Sequence, residues 1–284
     1  MRRLVFLYAE RFREAGSTVM RGFQLADIAR EHLPRRRVSV RPLGSTARNS
    51  DVFLTKGAVN MATPEQLDLL VRSGNRLLFD PVDELPPWTT ARFADVLVAS
   101  SHTAFEHYSR AFPATRVALV DHHVDPRLPT SPAPPSRFRA GYFGERVNAV
   151  LTPRIEERVD VVAIDTSRHD DAWLSGLGRY SFHYAVRQQR ALDHFKPFLK
   201  GFTAAHCGAP VLIQRDQEEA VRWLGADYPY LLDDTNEETI LSALARAESE
   251  FGGPRWLRAL SVMEGIRART SPERIASELA AAIA

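Results

Sequence analysis

Phe195-Lys196-Pro197-Phe198-Leu199-Lys200-Gly201-Phe202-Thr203-Ala204-Ala205-His206-Cys207-Gly208-Ala209-Pro210-Val211-Leu212-Ile213 reads as a helix that gives way at once to a buried strand. Proline suits the first helical turn, where its missing amide costs nothing, so the helix is predicted from Pro197 to Cys207. Gly208 stops it and Pro210 bars its return. Val211-Leu212-Ile213 is apolar, β-branched and too short for a helix, which leaves a strand. The same unit recurs on both sides. Arg139 to Phe143, Val159 to Ile164, Ser181 to Val186 and Tyr230 to Leu232 read as further strands, and the tail from Thr235 is helical. Toward the amino terminus the strands are Leu4 to Tyr8, Val38 to Val40, Val52 to Leu54, Arg76 to Phe79, Asp95 to Ala99 and Val117 to Val120. Helices lie between them: one follows Gly16 and runs to about His32, one is capped by Thr63-Pro64-Glu65-Gln66, and one starts at Ser101. Strands alternating with helices make a mainly parallel sheet covered on both faces.

Five prolines between Pro126 and Pro135 interrupt this alternation, and such density gives a stiff linker. The chain of 284 residues therefore reads as two Rossmann-like α/β domains facing an interdomain cleft: residues 1–130, then 131–265, with a helix over 266–284 crossing back to the first. The apolar start Leu4 to Ala9 is too short for a signal core or a membrane span. One cysteine, Cys207, excludes a disulfide framework and fits a reducing cytoplasm.

Charge is unevenly spread. The first fifty residues hold eleven arginines against four acids (Glu10, Glu14, Asp27, Glu31), a local net charge of +7 in a chain whose total is +2. Either this is a solvated face, or it meets an anionic membrane surface or acceptor. No zinc-finger or RNA-recognition pattern accompanies it, so nucleic acid is not expected as a partner. Of 37 basic residues only Lys56, Lys196 and Lys200 are lysine, and two of the three sit four residues apart in the opening stretch. Free amides and the dipole at a helix start attract anions, and lysine adds a compact charge suited to phosphate oxygens. Arg187, upstream, adds a bidentate clamp. A plain capped helix with solvated lysines is the alternative.

The run Phe195-Lys196-Pro197-Phe198-Leu199-Lys200 continuing to Cys207-Gly208-Ala209-Pro210-Val211 resembles the donor-site segment of GT-B glycosyltransferases, in a bacterial variant with Lys-Pro followed by lysine. The resemblance implies that the second domain binds a nucleotide-sugar donor, with Lys196, Lys200 and Arg187 neutralising the diphosphate. It implies transfer to a glycan, lipid-linked or small-molecule acceptor without a metal or other cofactor, and with inversion rather than retention. Thr203 and Phe195 stand where many retaining members carry glutamates, so the ribose must be held differently. Gly144-Glu145-Arg146 resembles the loop that supplies a further cation, Arg146. Asp165, after the strand ending at Ile164, is positioned for base or ribose, and His183 lies ahead of Arg187 on the donor side.

In the first domain Gly16-Ser17-Thr18 follows a strand and starts a helix, so its amides can face phosphate or acceptor, although one glycine is not a phosphate-loop pattern. Asp83, in Asp80-Pro81-Val82-Asp83-Glu84, is the first choice for the base that takes the acceptor proton, with Asp80 bracing the loop; His102 is the second choice. His122-His123 near Asp125 reads as hydrogen-bonding hinge residues rather than zinc ligands. No Asp-x-Asp, Walker loop, G-x-G-x-x-G or G-x-S-x-G occurs, which disfavours a metal-dependent transferase, an NTPase, a dehydrogenase and a hydrolase. A nucleotide-sugar epimerase and a catalytically silent binding subunit remain as competing classes. The expected location is cytoplasmic, with peripheral contact at the inner face of the membrane.

Overall fold

A computed structural model describes residues 2–128, 135–164, 173–188 and 195–284. The chain divides into two compact units: Met1–His123 with Leu192–Pro197 and Ser271–Ala284, and Val124–Ala191 with Phe198–Thr270. The first boundary thus falls after His123, ahead of the proline-rich stretch.

The first unit is built on a six-stranded sheet of β1 (Arg3–Tyr8), β2 (Val38–Pro42), β3 (Ser50–Leu54), β4 (Arg76–Phe79), β5 (Val96–Ala99) and β6 (Arg116–Leu119). Every pairing is parallel and the order is β2-β1-β3-β4-β5-β6. Side chains alternate across a pleated strand, and both faces here are apolar. Val5, Leu7, Val52, Leu54, Leu77 and Phe79 fill one face. Leu4, Phe6, Phe53, Leu78, Val96 and Val98 fill the other, closed by Leu25 and Ala29 and by Ile275 and Leu279. The latter two belong to the helix Pro272–Ala282, which packs on the helix Leu25–His32. The cap read at Thr63 is present: its hydroxyl accepts from the Gln66 amide, and the Gln66 side chain accepts from the Thr63 amide at 3.1 Å.

The second unit carries β7 (Ala140–Gly144), β8 (Val159–Ala163), β9 (Phe182–Tyr184), β10 (Val211–Gln214) and β11 (Leu231–Leu232), parallel throughout, in the order β11-β10-β9-β7-β8. Its core is aromatic: Phe182 packs against Tyr230 at 5.1 Å and Trp256 at 5.7 Å between ring centroids. In each unit the order reverses beside its first strand. Loops leaving the carboxyl ends of β1 and β3, and of β7 and β9, therefore splay apart and leave room for a ligand. Among the described residues no helix is long and apolar enough to cross a membrane.

Two local departures from the sequence reading matter. The helix after Gly16 is not regular: Gly16–Thr18 makes one α turn, Val19–Gln24 is a six-residue π-helix, and only Leu25–His32 is ordinary α-helix. The helix expected from Pro197 begins instead at Leu199 and ends at His206. Phe198 caps it with ψ at 44°, and its ring folds back over the first turn. A Cβ at Gly201 would lie 2.0 Å from that ring, so glycine is what admits the fold-back.

Candidate functional site

In the second unit β7 ends at Gly144, whose φ of +146° is open to glycine far more than to other residues. A Cβ there would also approach Lys200 Nζ to 2.7 Å. Lys200 lies on the first turn of the helix Leu199–His206, donates to the Phe143 carbonyl and sits 4.3 Å from the centroid of the Tyr142 ring. Tyr142 in turn donates to the Glu145 carbonyl at 2.7 Å, which fixes the loop after β7. Arg187 follows β9. Its amide donates to Gln214 Oε1 at 3.2 Å and its carbonyl accepts from Gln214 Nε2 at 2.6 Å, so the backbone that carries the guanidinium is pinned to β10. Arg187 is close enough to pull the Tyr142 hydroxyl toward ionisation, although burial outweighs it and holds that pKa above the ordinary value. His183 is buried against the Phe143 ring at 5.1 Å. Burial first, and the Lys200 charge second, push its pKa down to about 3, so the imidazole is neutral at physiological pH.

The expected donor residues thus divide. Lys200, Arg187 and His183 gather around the ends of β7 and β9. Thr203, half-buried, lies one turn along the helix from Lys200, and its carbonyl accepts from the Cys207 amide at 3.0 Å. Arg146 instead forms an ion pair with Glu156. Lys196 precedes the helix and belongs to the first unit, so the two lysines do not share one helix start. Phe195 likewise belongs to the first unit, its carbonyl accepting from Ser101 Oγ at 2.9 Å. Asp165 lies outside the described residues.

In the first unit the carboxyl ends of β1, β3, β4, β5 and β6 converge on a buried polar cluster. Its centre is Arg21, fully buried on the π-helix, whose Nε donates to Asp80 Oδ2 at 2.7 Å and whose Nη1 donates to the Asp121 carbonyl at 3.0 Å. One side chain therefore ties the turn after β1 to the ends of β4 and β6. Burial pushes the Asp80 carboxyl above its ordinary range, against the pull of Arg21. The next turn is strained: the Asp83 amide donates to the Pro81 carbonyl at 2.9 Å, closing a three-residue turn in which Val82 holds φ at +63°. A β-branched residue rarely adopts that value, and such strain persists only where surroundings impose it. Ser100 Oγ bonds the Val82 carbonyl at 2.8 Å and helps to impose it.

Beyond that turn Asp83 meets Lys56 Nζ at 2.6 Å, which also reaches Glu84 at 2.7 Å. His102 opens the helix His102–Ala111 after its Ser101 cap, and its Nδ1 lies 3.9 Å from Asp121 Oδ1. His122 Nδ1 pairs with the His123 carbonyl at 3.0 Å and His123 Nε2 with Gln24 Oε1 at 3.1 Å; burial holds both imidazoles neutral. Gly16 is exposed, Ser17 half-buried and Thr18 buried at the start of the π-helical turn. Arg21, Asp121 and Lys56 went unread in the sequence. For Lys56 the signal was there, in the scarcity of lysine.

No protein-family model matches this chain, and no curated protein matches it in sequence. Solved structures do match it. Anabaena HepE in complex with UDP superposes with a TM-score of 0.67 at 12% identity over 99% of each chain. A glycosyltransferase from Rickettsia africae gives 0.66 at 9% identity, over 99% of this chain and 97% of that one. The GtfA/B complex gives 0.57 at 11%, over 83% of this chain, which spans 57% of that longer one. At these identities the likeness is one of fold. Two parallel-sheet units in this order define the class: the chain has the GT-B glycosyltransferase fold.

Proposed function

We propose that this chain transfers a sugar from a UDP-sugar to a glycan, lipid-linked or small-molecule acceptor at the inner face of the membrane, without a metal and with inversion. The observation that carries the reading is the placement of Lys200, Arg187 and the Gly144 loop around the ends of β7 and β9, where an open parallel sheet binds ligands. The diphosphate leaving group gains negative charge as the glycosidic bond breaks, and fixed cations there lower the barrier. Lys200 is held by the Phe143 carbonyl and so is aimed before the donor arrives. We assign Thr203 and His183 to the same donor side, and Arg146 joins them only by leaving Glu156. The fold neighbours bound to UDP and to UDP-glucose name the donor to try first.

The acceptor base is assigned to His102. Asp121 stands beside its imidazole and can orient it, an arrangement suited to proton removal. Asp83 is already engaged by the Lys56 ammonium, a pair that protonation would break. Gly16, Ser17 and Thr18 complete the acceptor side at the end of β1. Two measurements test the proposal. A thermal-shift series with UDP-, GDP-, CMP- and dTDP-sugars should stabilise the protein with one nucleotide, by about 2.7 kcal/mol at a hundred times its dissociation constant. His102→Ala should then lower kcat by about 10²–10⁴ with donor binding intact. Loss of turnover in Asp83→Asn but not in His102→Ala would return the role to Asp83. An epimerised nucleotide-sugar formed without acceptor would end the transferase reading.

A further inference from the structure

The amino ends of the first unit's strands, opposite to the ends that carry the candidate site, share one chemical property. Arg35 and Arg37 precede β2, Arg2 and Arg3 stand at the start of β1, Arg48 lies just before β3 and Arg116 opens β6; all six are exposed. Arg76 opens β4 between them. The strands are neighbours in one sheet, so these charges form a row about 24 Å long across five inter-strand spacings. Of the acids at this end, Asp51 is buried and bridges Arg36 and Arg76, and Asp68 pairs with Arg72. Asp95, exposed before β5, accepts from the Leu77 amide at 2.7 Å. Arg2, Arg36 and Arg76 line a depression of about 360 Å³ together with Asp51, Ile283 and Ala284, and Arg76 donates to the carbonyls of the last two.

Apolar groups lie at the same end. Trp88 is 66% exposed although it stacks on Phe112, at 4.6 Å, where the helix His102–Ala111 gives way to β6. Arg92 and Arg110 are exposed close by in the chain, and Val71, at the last turn of the helix Pro64–Arg72, is 43% exposed. Tryptophan favours the membrane–water interface because its ring is apolar and its N–H polar, and arginines favour anionic headgroups.

We infer that this end of the first unit is a docking surface for an anionic lipid bilayer, with the arginine row on the headgroups and Trp88 at the interface. The row spans the sheet end from β2 to β6, interrupted by Asp95 at β5, and that length fits an extended surface of phosphates better than a single soluble anion. Only part of the arginine-rich first fifty residues takes part. Arg21 is buried and Arg30 is paired with Asp27, while Arg116, far outside that segment, belongs to the surface. The inference takes up the membrane contact of the proposed function, and its test needs neither donor nor acceptor, so either can fail alone.

The full chain is mixed with phosphatidylcholine vesicles, or with vesicles in which about a third of the lipid is phosphatidylglycerol, and the bound fraction is read by co-flotation. Binding is expected to the anionic vesicles only and to fall as salt rises through the range where the Debye length contracts below about 10 Å. Each arginine removed should weaken partitioning about fivefold, so R35A/R37A/R116A loses about a hundredfold, while R35K/R37K/R116K retains binding. W88A should lower the binding that survives at high salt. Melting curves of the alanine variant should match the parent, which separates a docking defect from a folding defect. Equal binding to both vesicle types, no binding to anionic vesicles at low salt, or a triple variant that binds like the parent would each overturn the inference. So would retention on heparin together with indifference to vesicles.

Discussion

Replacing Arg21 with methionine removes the guanidinium that faces the buried Asp80 carboxylate, and both side chains are wholly shielded from water. Breaking a buried pair from one side costs about 3–5 kcal/mol, because the remaining charge has neither partner nor solvent. The bond from Arg21 to the Asp121 carbonyl is lost too. With a urea dependence of about 2 kcal/mol/M, the midpoint of the first unit's unfolding should fall by about 2 M. The defect should also depend on pH with a definite sign. Without Arg21 the Asp80 carboxyl is raised further by burial, so the folded form takes up a proton more readily than the unfolded chain. Stability is then fullest below the unfolded carboxyl range and is lost as pH rises through the folded value, so Arg21→Met should be least damaging in mild acid. The double variant R21M/D80M removes both charges and should recover most of the loss, since apolar pairs of like volume replace buried ion pairs with little penalty. Urea titrations followed by tryptophan fluorescence and by circular dichroism measure all three proteins. A midpoint shift below about 0.5 M for the single variant, or a double variant no better than the single, would refute the placement of Arg21 at the centre of this cluster.

Other perturbations probe the second unit and the histidines. Lys200→Ala should weaken UDP binding about 10- to 100-fold, the worth of one or more charge-assisted hydrogen bonds, read by calorimetry; an unchanged affinity would remove Lys200 from the donor site. Gly144→Ala should act through the same residue, since a Cβ 2.7 Å from Lys200 Nζ displaces the ammonium and the backbone is strained as well; UDP titration should show the loss without any change in net charge. His122 and His183 are held neutral, each with its pKa lowered to about 3 against an ordinary 6.5. Their contribution is whole above pH 6.5 and is lost as pH falls toward 3, so unfolding midpoints measured between pH 7 and 4 should decline, and His183→Asn should flatten that decline.

The strands were legible because each is a short apolar run bounded by turn residues, and a parallel sheet buried on both faces leaves no other use for such runs. Val211-Leu212-Ile213, read from its side chains alone, became the first three residues of β10. Helix starts were less legible. Pro197 satisfies the local rules for a first turn, but the Phe198 ring, folding back over Gly201, delays the helix by two residues and leaves Lys196 outside it. That is a packing fact, and periodicity does not encode it. The π-helix escaped notice because the apolar spacing after Gly16 is compatible with a continuous α-helix. Arg21 escaped for a different reason: with 34 arginines in the chain, one more carries no signal, and its carboxylate partner is 59 residues away. The lysines, being three, stood out, and Lys200 stands at the end of β7 where that scarcity pointed.

The wide turn Val19–Gln24 amounts to one residue more than an α-helical path requires. Deleting a single position inside it would let the coil tighten into an ordinary spiral. Leu25, Ile28 and Ala29 would keep their seat on the sheet, so the unit would still fold. Arg21 would rotate by about 100° about the helix axis relative to Leu25, and the guanidinium that now staples three loops would face elsewhere. Any relative that lacks the extra residue must staple those loops with a side chain from a different place, and alignments that force the two through this turn without a gap will pair the wrong residues.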